Sequence, residues 1–241
     1  AVLDCRNHAC STHCGNTQTQ IMAERLVILG GGESGAGAAY LGQKKGYEVF
    51  LSDKGKLKDV YAKKLRSWKI DFEEGKHTEE KILNADLVIK SPGIPDSAPL
   101  VQSLLKKGVK VISEIEFGLK YTTAKTIGIT GTNGKTTTTL LTHHMLTKAG
   151  LDVGLAGNVG KSLAWQVADT EFDYIVLELS SYQLDGMFDS RINLAVLMNI
   201  TPDHLDRYGS MENYIASKMR ITQNQTSEDA FIYCSDDTNI T

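Results

Sequence analysis

Apolar residues along this chain fall into short β-branched blocks separated by longer amphipathic stretches, and the alternation recurs from Arg25 onward. The blocks at 26–29, 48–52, 87–90 and 110–113 have the length and Val/Ile/Leu content of buried strands. Between them lie helical patterns at 35–45, 60–68 and 99–107. Near-continuous apolar strands alternating with helices predict a parallel sheet covered on both faces. This unit closes at 119–125, where Tyr121-Thr122-Thr123-Ala124 reads as a linker. A second alternation opens with a strand at 126–130 and a helix at 135–148, which Gly150 stops. Further strands are expected at 153–156, 174–179, 195–200 and 231–234, with a helix over 214–221. The predicted architecture is therefore α/β, with one parallel-sheet domain over 22–123 and a second over 124–241. The chain stops just after a strand and the turn Cys234-Ser235-Asp236-Asp237. A doubly wound domain rarely ends by exposing its newest strand, so the second domain is expected to be incomplete.

Composition narrows the class without naming a chemistry. A hydrophobic content of 41% and a charged content of 23% describe a soluble globular chain. The net charge of −3 gives no general attraction to nucleic acid or an anionic membrane. No apolar run approaches the ~20 residues of a membrane span, and no secretory h-region is present, so a cytoplasmic location is expected; a monomer is expected as a separate matter. Residues 1–21 stand apart, with Cys5, His8, Cys10, His13 and Cys14 in a stretch without periodicity. Their spacing fits no C-x₂-C zinc pattern, and the expected reading is a leader ahead of Met22.

Candidate chemistry gathers where strands give way to glycines. Gly30-Gly31-Gly32-Glu33-Ser34-Gly35 follows the first strand and opens a helix, with Asp53 closing the next strand. This G-x-G-x-x-G arrangement is open to three readings: a nicotinamide dinucleotide site, a mononucleotide or nucleotide-sugar site, or a tightly packed turn. Ser91-Pro92-Gly93-Ile94-Pro95 ends a parallel strand, the position where open sheets bind ligands, and also suits a plain rigid turn. The run from Ile127 to Thr137 carries more information. A β-branched strand feeds Gly131-Thr132-Asn133-Gly134-Lys135-Thr136-Thr137, and a helix follows. Backbone N–H groups of such a loop cradle phosphates, the lysine brings a positive charge to them, and the threonine hydroxyl can ligate Mg²⁺. The G-x-x-x-x-G-K-[ST] pattern wants a glycine where Ile129 stands, so flexibility must come from Gly131 and Gly134.

Two further strand ends carry charge. The apolar strand 174–179 holds Glu178, a carboxylate of the kind that binds Mg²⁺ beside a phosphate loop and that is costly to bury unpaired. Asp203, His204 and Asp206 cluster after the strand 195–200, where His204 joins a metal or phosphate site. Lys218 flanks an apolar stripe and, by pattern alone, is a snorkelling surface lysine. His143, His144, Lys106 and Lys107 read as solvated helix faces.

Taken together, the segments Thr130 to Thr137, Gly157-Asn158-Val159-Gly160, Glu178 to Leu184 and Asn199 to Tyr208 resemble the Mur ligase family. Leu177 to Leu184 and the Ser91 turn look most like its D-glutamate-adding branch. The resemblance implies a Rossmann-like UDP-binding domain followed by a P-loop ATPase domain. It also implies a reaction in which ATP phosphorylates the carboxylate of UDP-N-acetylmuramoyl-L-alanine and D-glutamate attacks the acyl phosphate, in cytoplasmic peptidoglycan synthesis. By the same resemblance, Gly131 to Thr137 hold ATP, with Lys135 on the phosphates. Thr136, Glu178, His204 and Lys218 serve two Mg²⁺ sites, and Lys218 is carbamylated, overturning its surface reading. Asn158, Ser180 and Gln183 meet the muramoyl substrate or phosphate. Glu33, Ser34, Asp53, Lys54, Ser91, Pro92 and Gly93 hold the uridine diphosphate. Family members have a third domain for the incoming amino acid, so 1–241 alone is expected to be inactive or nearly so. The rival readings are a non-catalytic nucleotide or UDP-sugar binding module and a nicotinamide oxidoreductase.

Overall fold

The computed structural model describes residues 23–240, and the cysteine- and histidine-bearing leader lies outside them. Its first half runs β1 (Arg25–Leu29), α1 (Glu33–Lys44), β2 (Glu48–Asp53), α2 (Asp59–Ser67), β3 (Asp71–Glu74), α3 (Glu79–Ile82), β4 (Leu87–Lys90), α4 (Pro99–Lys106), β5 (Lys110–Ile112) and α5 (Glu114–Leu119). These strands form a parallel sheet in the order β3-β2-β1-β4-β5. The second half runs β6 (Lys125–Thr130), α6 (Lys135–Lys148), β7 (Val153–Gly157), α7 (Leu163–Asp169), β8 (Tyr174–Glu178), α8 (Ser181–Leu184), β9 (Leu194–Leu197), α9 (Leu205–Tyr208), α10 (Met211–Met219) and β10 (Ala230–Tyr233). Its strands are again parallel, in the order β10-β9-β6-β8-β7.

Central strands are the most apolar because helices cover both faces. Leu26, Val27, Ile28 and Leu29 of β1 and Ile175, Val176 and Leu177 of β8 are buried on every side chain. In each sheet the order reverses beside the first strand, at β1/β4 and at β6/β9, and a crevice opens there at the C-terminal strand ends. Both glycine turns therefore sit over switch points.

The two sheets share one continuous apolar cluster, which runs from Leu26 and Leu41 through Ile115, Phe117 and Leu163 to Ile175 and Ile221. Helices α1 and α7 meet across it at Gly37, where a Cβ would lie 2.1 Å from Ser162 Oγ. Beside this contact the buried Glu114 carboxylate accepts from Ser162 Oγ (2.6 Å) and from the Ala164 N–H (2.7 Å). Burial, opposed by these hydrogen bonds and reinforced by Glu33, raises the Glu114 carboxyl to about 7. Helix α6 buries only Thr139 and leaves Leu140, Leu141 and Met145 exposed.

Several expected boundaries moved. The strand expected to end at 113 gives way at Ser113, whose hydroxyl caps α5 by accepting from the Glu116 N–H. The strand expected over 195–200 stops at Leu197, because Asn199 turns to bind the phosphate-loop backbone. Strand β3 gave no periodic signal, since Asp-Phe-Glu-Glu turns only one charged residue fully inward. The four-residue helices α3, α8 and α9 are too short for a 3.6-residue period to show.

Candidate functional site

The loop between β6 and α6 is held open by backbone geometry that only glycine tolerates. Gly131 has φ +148°, and a Cβ there would press on the Asn199 backbone at 3.3 Å; Gly134 caps α6 at φ +81°. Asn199 clamps the loop from β9, its carbonyl accepting from Thr132 N–H (2.9 Å) and its Oδ1 from Asn133 N–H (2.8 Å). No side chain caps the start of α6, which leaves its first N–H groups for a ligand. Lys135 Nζ folds back onto the Thr132 carbonyl at 2.9 Å. Thr136 and Thr137 are exposed on the first turn.

Two buried ionisable groups flank this loop. Glu178, at the end of β8, is 1% exposed; its Oε1 accepts from Asn158 Nδ2 at 2.8 Å and its Oε2 has no hydrogen-bond partner. Lys218 is 2% exposed, and its Nζ donates to the Gly131 carbonyl at 2.8 Å. The surface reading of Lys218 fails because its helix turns that side chain under the phosphate loop. Burial, and then the neighbouring Lys135 charge, lowers its amine to about 7 against an opposing pull from Asp203. A substantial neutral fraction at physiological pH follows.

A cavity of about 450 Å³ lies over this region and joins both halves of the chain. Glu33, Ser34 and Pro92 line it from the first half, and Lys135, Asn158, Ser180, Gln183 and His204 from the second. Ser180 and Gln183 are engaged with each other in a capping box that starts α8. His204 adopts a left-handed backbone at φ 52°, which turns its exposed ring toward Tyr182 at 4.9 Å between centroids. Arg207 closes the rim: its Nη1 donates to the Pro92 carbonyl (3.0 Å) and its guanidinium lies 3.8 Å from the Tyr182 ring. Tyr182 and Arg207 were not singled out from sequence, although both lie inside motifs that were.

The remaining predicted residues form a separate crevice. Asp53, Lys54, Ser91 and Gly93 line a cavity of about 630 Å³ over the first switch point, together with Lys76 and His77. Asp53 is already committed: Oδ2 accepts from the Gly31 N–H (2.5 Å) and Oδ1 from the Gly55 N–H (2.7 Å). A third cavity of about 550 Å³ opens at the N-terminal strand ends between Lys110 and Arg191 and contains none of the predicted residues.

Two parallel sheets with a glycine-lysine loop of the phosphate-binding type on the second, and beside it a carboxylate with one partnerless oxygen and a buried lysine, define the class as an α/β protein of the phosphate-loop kind. The Mur ligase middle domain family matches residues 129–241 and the MurD N-terminal domain family matches 25–99, so the chain carries these two Mur ligase domains. It is 61% identical over 215 residues to a UDP-N-acetylmuramoylalanine–D-glutamate ligase of Bacteroides fragilis, covering 89% of this chain and 48% of the relative. The Bacteroides thetaiotaomicron enzyme of the same name is 63% identical over the same shares. That of Christiangramia forsetii is 57% identical over 221 residues, 91% of this chain and 50% of the relative. The chain thus spans about half the length of the curated relatives it matches. Among solved structures, the UDP-N-acetylmuramate:L-alanyl-gamma-D-glutamyl-meso-diaminopimelate ligase from Neisseria meningitides superposes with a TM-score of 0.63 at 21% identity, over 90% of this chain and 73% of that one. The UDP-N-acetylmuramate-alanine ligase from Thermotoga maritima gives 0.55 at 21%, over 89% and 50%. These two likenesses show the fold.

Proposed function

We propose that this chain contributes the UDP-sugar and ATP sites of a cytoplasmic ligase that joins D-glutamate to UDP-N-acetylmuramoyl-L-alanine during peptidoglycan synthesis. The observation that carries the reading is the buried Glu178 Oε2, left without a partner beside the Gly131–Thr136 loop. A buried carboxylate oxygen in that state is costly, and a hard cation satisfies it. Among the described residues no cluster of three His, Cys, Asp or Glu side chains forms a ready metal cage. That suits Mg²⁺, which takes one or two protein oxygens and completes its shell with phosphates and water. Thr136, Glu178, His204 and a carbamylated Lys218 are the groups that would hold two such ions, and the ions supply neutralisation of phosphate charge.

The chain's own residues then have defined tasks. The loop N–H groups and Lys135 orient the phosphates of ATP so that the substrate carboxylate attacks the terminal phosphorus and ADP leaves. The resulting acyl phosphate is attacked by the amine of D-glutamate, forming the amide and releasing phosphate. Asn158 holds Glu178 in place, while Glu33, Ser34, Ser180 and Gln183 border the path of the muramoyl substrate. The neutral amine of Lys218 adds CO₂, forming an N–C bond and losing one proton to become an anionic oxygen donor. Asp53, Lys54, Ser91 and Gly93 belong to the uridine diphosphate end, whereas Pro92, expected there too, lines the muramoyl side with Glu33 and Ser34. Residues 22–123 and 124–241 are assigned as the UDP and ATP domains respectively.

Calorimetric titration of the purified chain with UDP-N-acetylmuramoyl-L-alanine, with ATP in the presence and absence of Mg²⁺, and with NAD tests this reading. The first ligand is expected to bind, ATP to bind only with Mg²⁺, and NAD not to bind. Binding of NAD without the UDP-sugar overturns the assignment. Mass spectrometry of native protein that finds only unmodified Lys218 removes the carbamate.

A further inference from the structure

The crevice over β1 and β4 combines apolar residues such as Ile94, Pro95 and Pro99 with the polar Lys54, Lys76 and His77, in a volume of about 630 Å³ that suits a nucleoside. Under this crevice lies a fixed chain of hydrogen bonds that the proposed function does not use. Glu73, 8% exposed on β3, accepts at Oε1 from Ser52 Oγ (2.8 Å) and the Thr78 N–H (2.7 Å), and at Oε2 from Thr78 Oγ1 (2.6 Å). Burial pushes its carboxyl up, but the bonds from Thr78 and Ser52 outweigh that and hold it below the usual carboxylate range. Glu73 is therefore ionised and accepts only.

The proton count along the chain is then determined. Ser52 has one hydroxyl proton, and its close contact with an acceptor-only carboxylate claims it. The Lys76 carbonyl, 3.4 Å from the same oxygen, is too distant to compete. Ser52 Oγ also lies 2.7 Å from His77 Nδ1. With the hydroxyl proton committed to Glu73, Nδ1 must be the donor of that bond. A neutral His77 is consequently the Nδ1–H tautomer, and its Nε2 is a bare acceptor.

We propose that His77 is a specificity-determining residue that selects uracil over cytosine, by offering a fixed acceptor nitrogen to the imide N–H of the base. This rests on the UDP-sugar reading above and adds to it the group that reads the base. Uracil carries a proton on N3 and would donate to Nε2. Cytosine has a lone pair at N3, so the same approach sets acceptor against acceptor. A polar group built to pair with one base and left opposed by another discriminates strongly. Nothing in the sequence around His77 announces this role, because Ser52 and Glu73 come from two different strands.

Titrations of the chain with UDP and CDP at pH 8, together with ¹⁵N shifts of the imidazole nitrogens, test the proposal. The wild-type chain is expected to bind UDP about 10- to 100-fold more tightly than CDP and to show Nδ1–H. His77→Leu should bring the two affinities to within about twofold, mainly by weakening UDP. Ser52→Ala frees the ring to change tautomer and should reduce the preference while His77 is still present. Circular dichroism and MgATP binding confirm that each variant is folded. If UDP binds and His77→Leu keeps the full preference, or if the ring is Nε2–H, the proposal is overturned. If the wild-type chain binds neither UDP nor CDP, the functional reading itself fails, and this inference fails with it.

Discussion

The two glycine turns share a strand–turn–helix design and differ in the sign of what surrounds them. In the first, the glycines allow close packing: a Cβ on Gly35 would lie 1.9 Å from the Gly30 carbonyl, and one on Gly31 would lie 2.8 Å from Leu57. An acidic side chain, Asp53, already occupies the Gly31 N–H, and Glu33 follows in the helix. In the second, the turn is clamped by a neutral residue, Asn199, and carries the amine of Lys135 at the start of its helix. A helix N-terminus attracts anions through its dipole and free N–H groups. Adding carboxylates cancels that attraction, and the Lys135 ammonium amplifies it. The first turn is therefore suited to hydrogen-bond donors, and the second to an anion such as a phosphate.

Substitutions can break this contrast, and the largest effect is expected at Lys135. Under the proposed function, Lys135→Ala should lower ATP-dependent phosphate release by about 10²–10³-fold, the scale seen when one preorganised charge-stabilising group is lost. The same change should leave UDP-sugar affinity of the chain unaltered. A parallel fall in both would show that the two turns are not independent.

Glu114, which joins the halves, should give the next largest effect, and it is read through pH. Its folded carboxyl titrates at about 7, above the 4.5 of an ordinary glutamate, so the folded state holds the extra proton. Its contribution to stability is fully present below about 4.5 and is lost as pH rises to about 7, by on the order of 3 kcal/mol. Denaturant unfolding of wild type and Glu114→Gln across that window should show the difference between them changing with pH. A constant difference would remove the buried-carboxylate account.

Glu178→Gln separates function from stability. Removing a buried charge with a partnerless oxygen should raise the melting temperature by several degrees, as about 1–3 kcal/mol is recovered. MgATP affinity should fall at least about tenfold. If both fall together, the oxygen serves packing and not a cation. The smallest change sharpens the first turn: Asp53→Asn weakens two charge-assisted bonds to backbone N–H groups. It should cost about 1–2 kcal/mol in stability and weaken UDP binding while sparing ATP.

The extent to which the sequence foretold this arrangement follows from how local each cause is. Strands such as Leu26 to Leu29 and helix α6 were legible because burial on both faces, or a glycine stop, is written within a few residues. The candidate residues at strand ends drew notice for the same reason, since a lone carboxylate after an apolar run stands out. Lys218 was misread by periodicity because its partner, the Gly131 carbonyl, lies 87 residues away. Strand β3 escaped because an edge strand with one half-buried aromatic needs its neighbour β2 to exist. His77 carried no local signal at all. Its tautomer depends on Ser52 and Glu73, which are adjacent only once those two strands are paired.

The contact of α1 with α7 has a further consequence for how the molecule handles a long ligand. Gly37 admits Ser162 without a gap, and Glu114 ties Ser162 and Ala164 to the first half from within the core. Rotating one sheet against the other would strip a buried carboxylate of its donors, so the spacing between the crevices is set by packing. The protein thus works as a fixed gauge. Under the proposed function, a UDP-sugar seated by its base over β1 would reach Lys135 only if the intervening chain of atoms had the right span, and one sugar or one phosphate too few would leave its reactive end short of the loop.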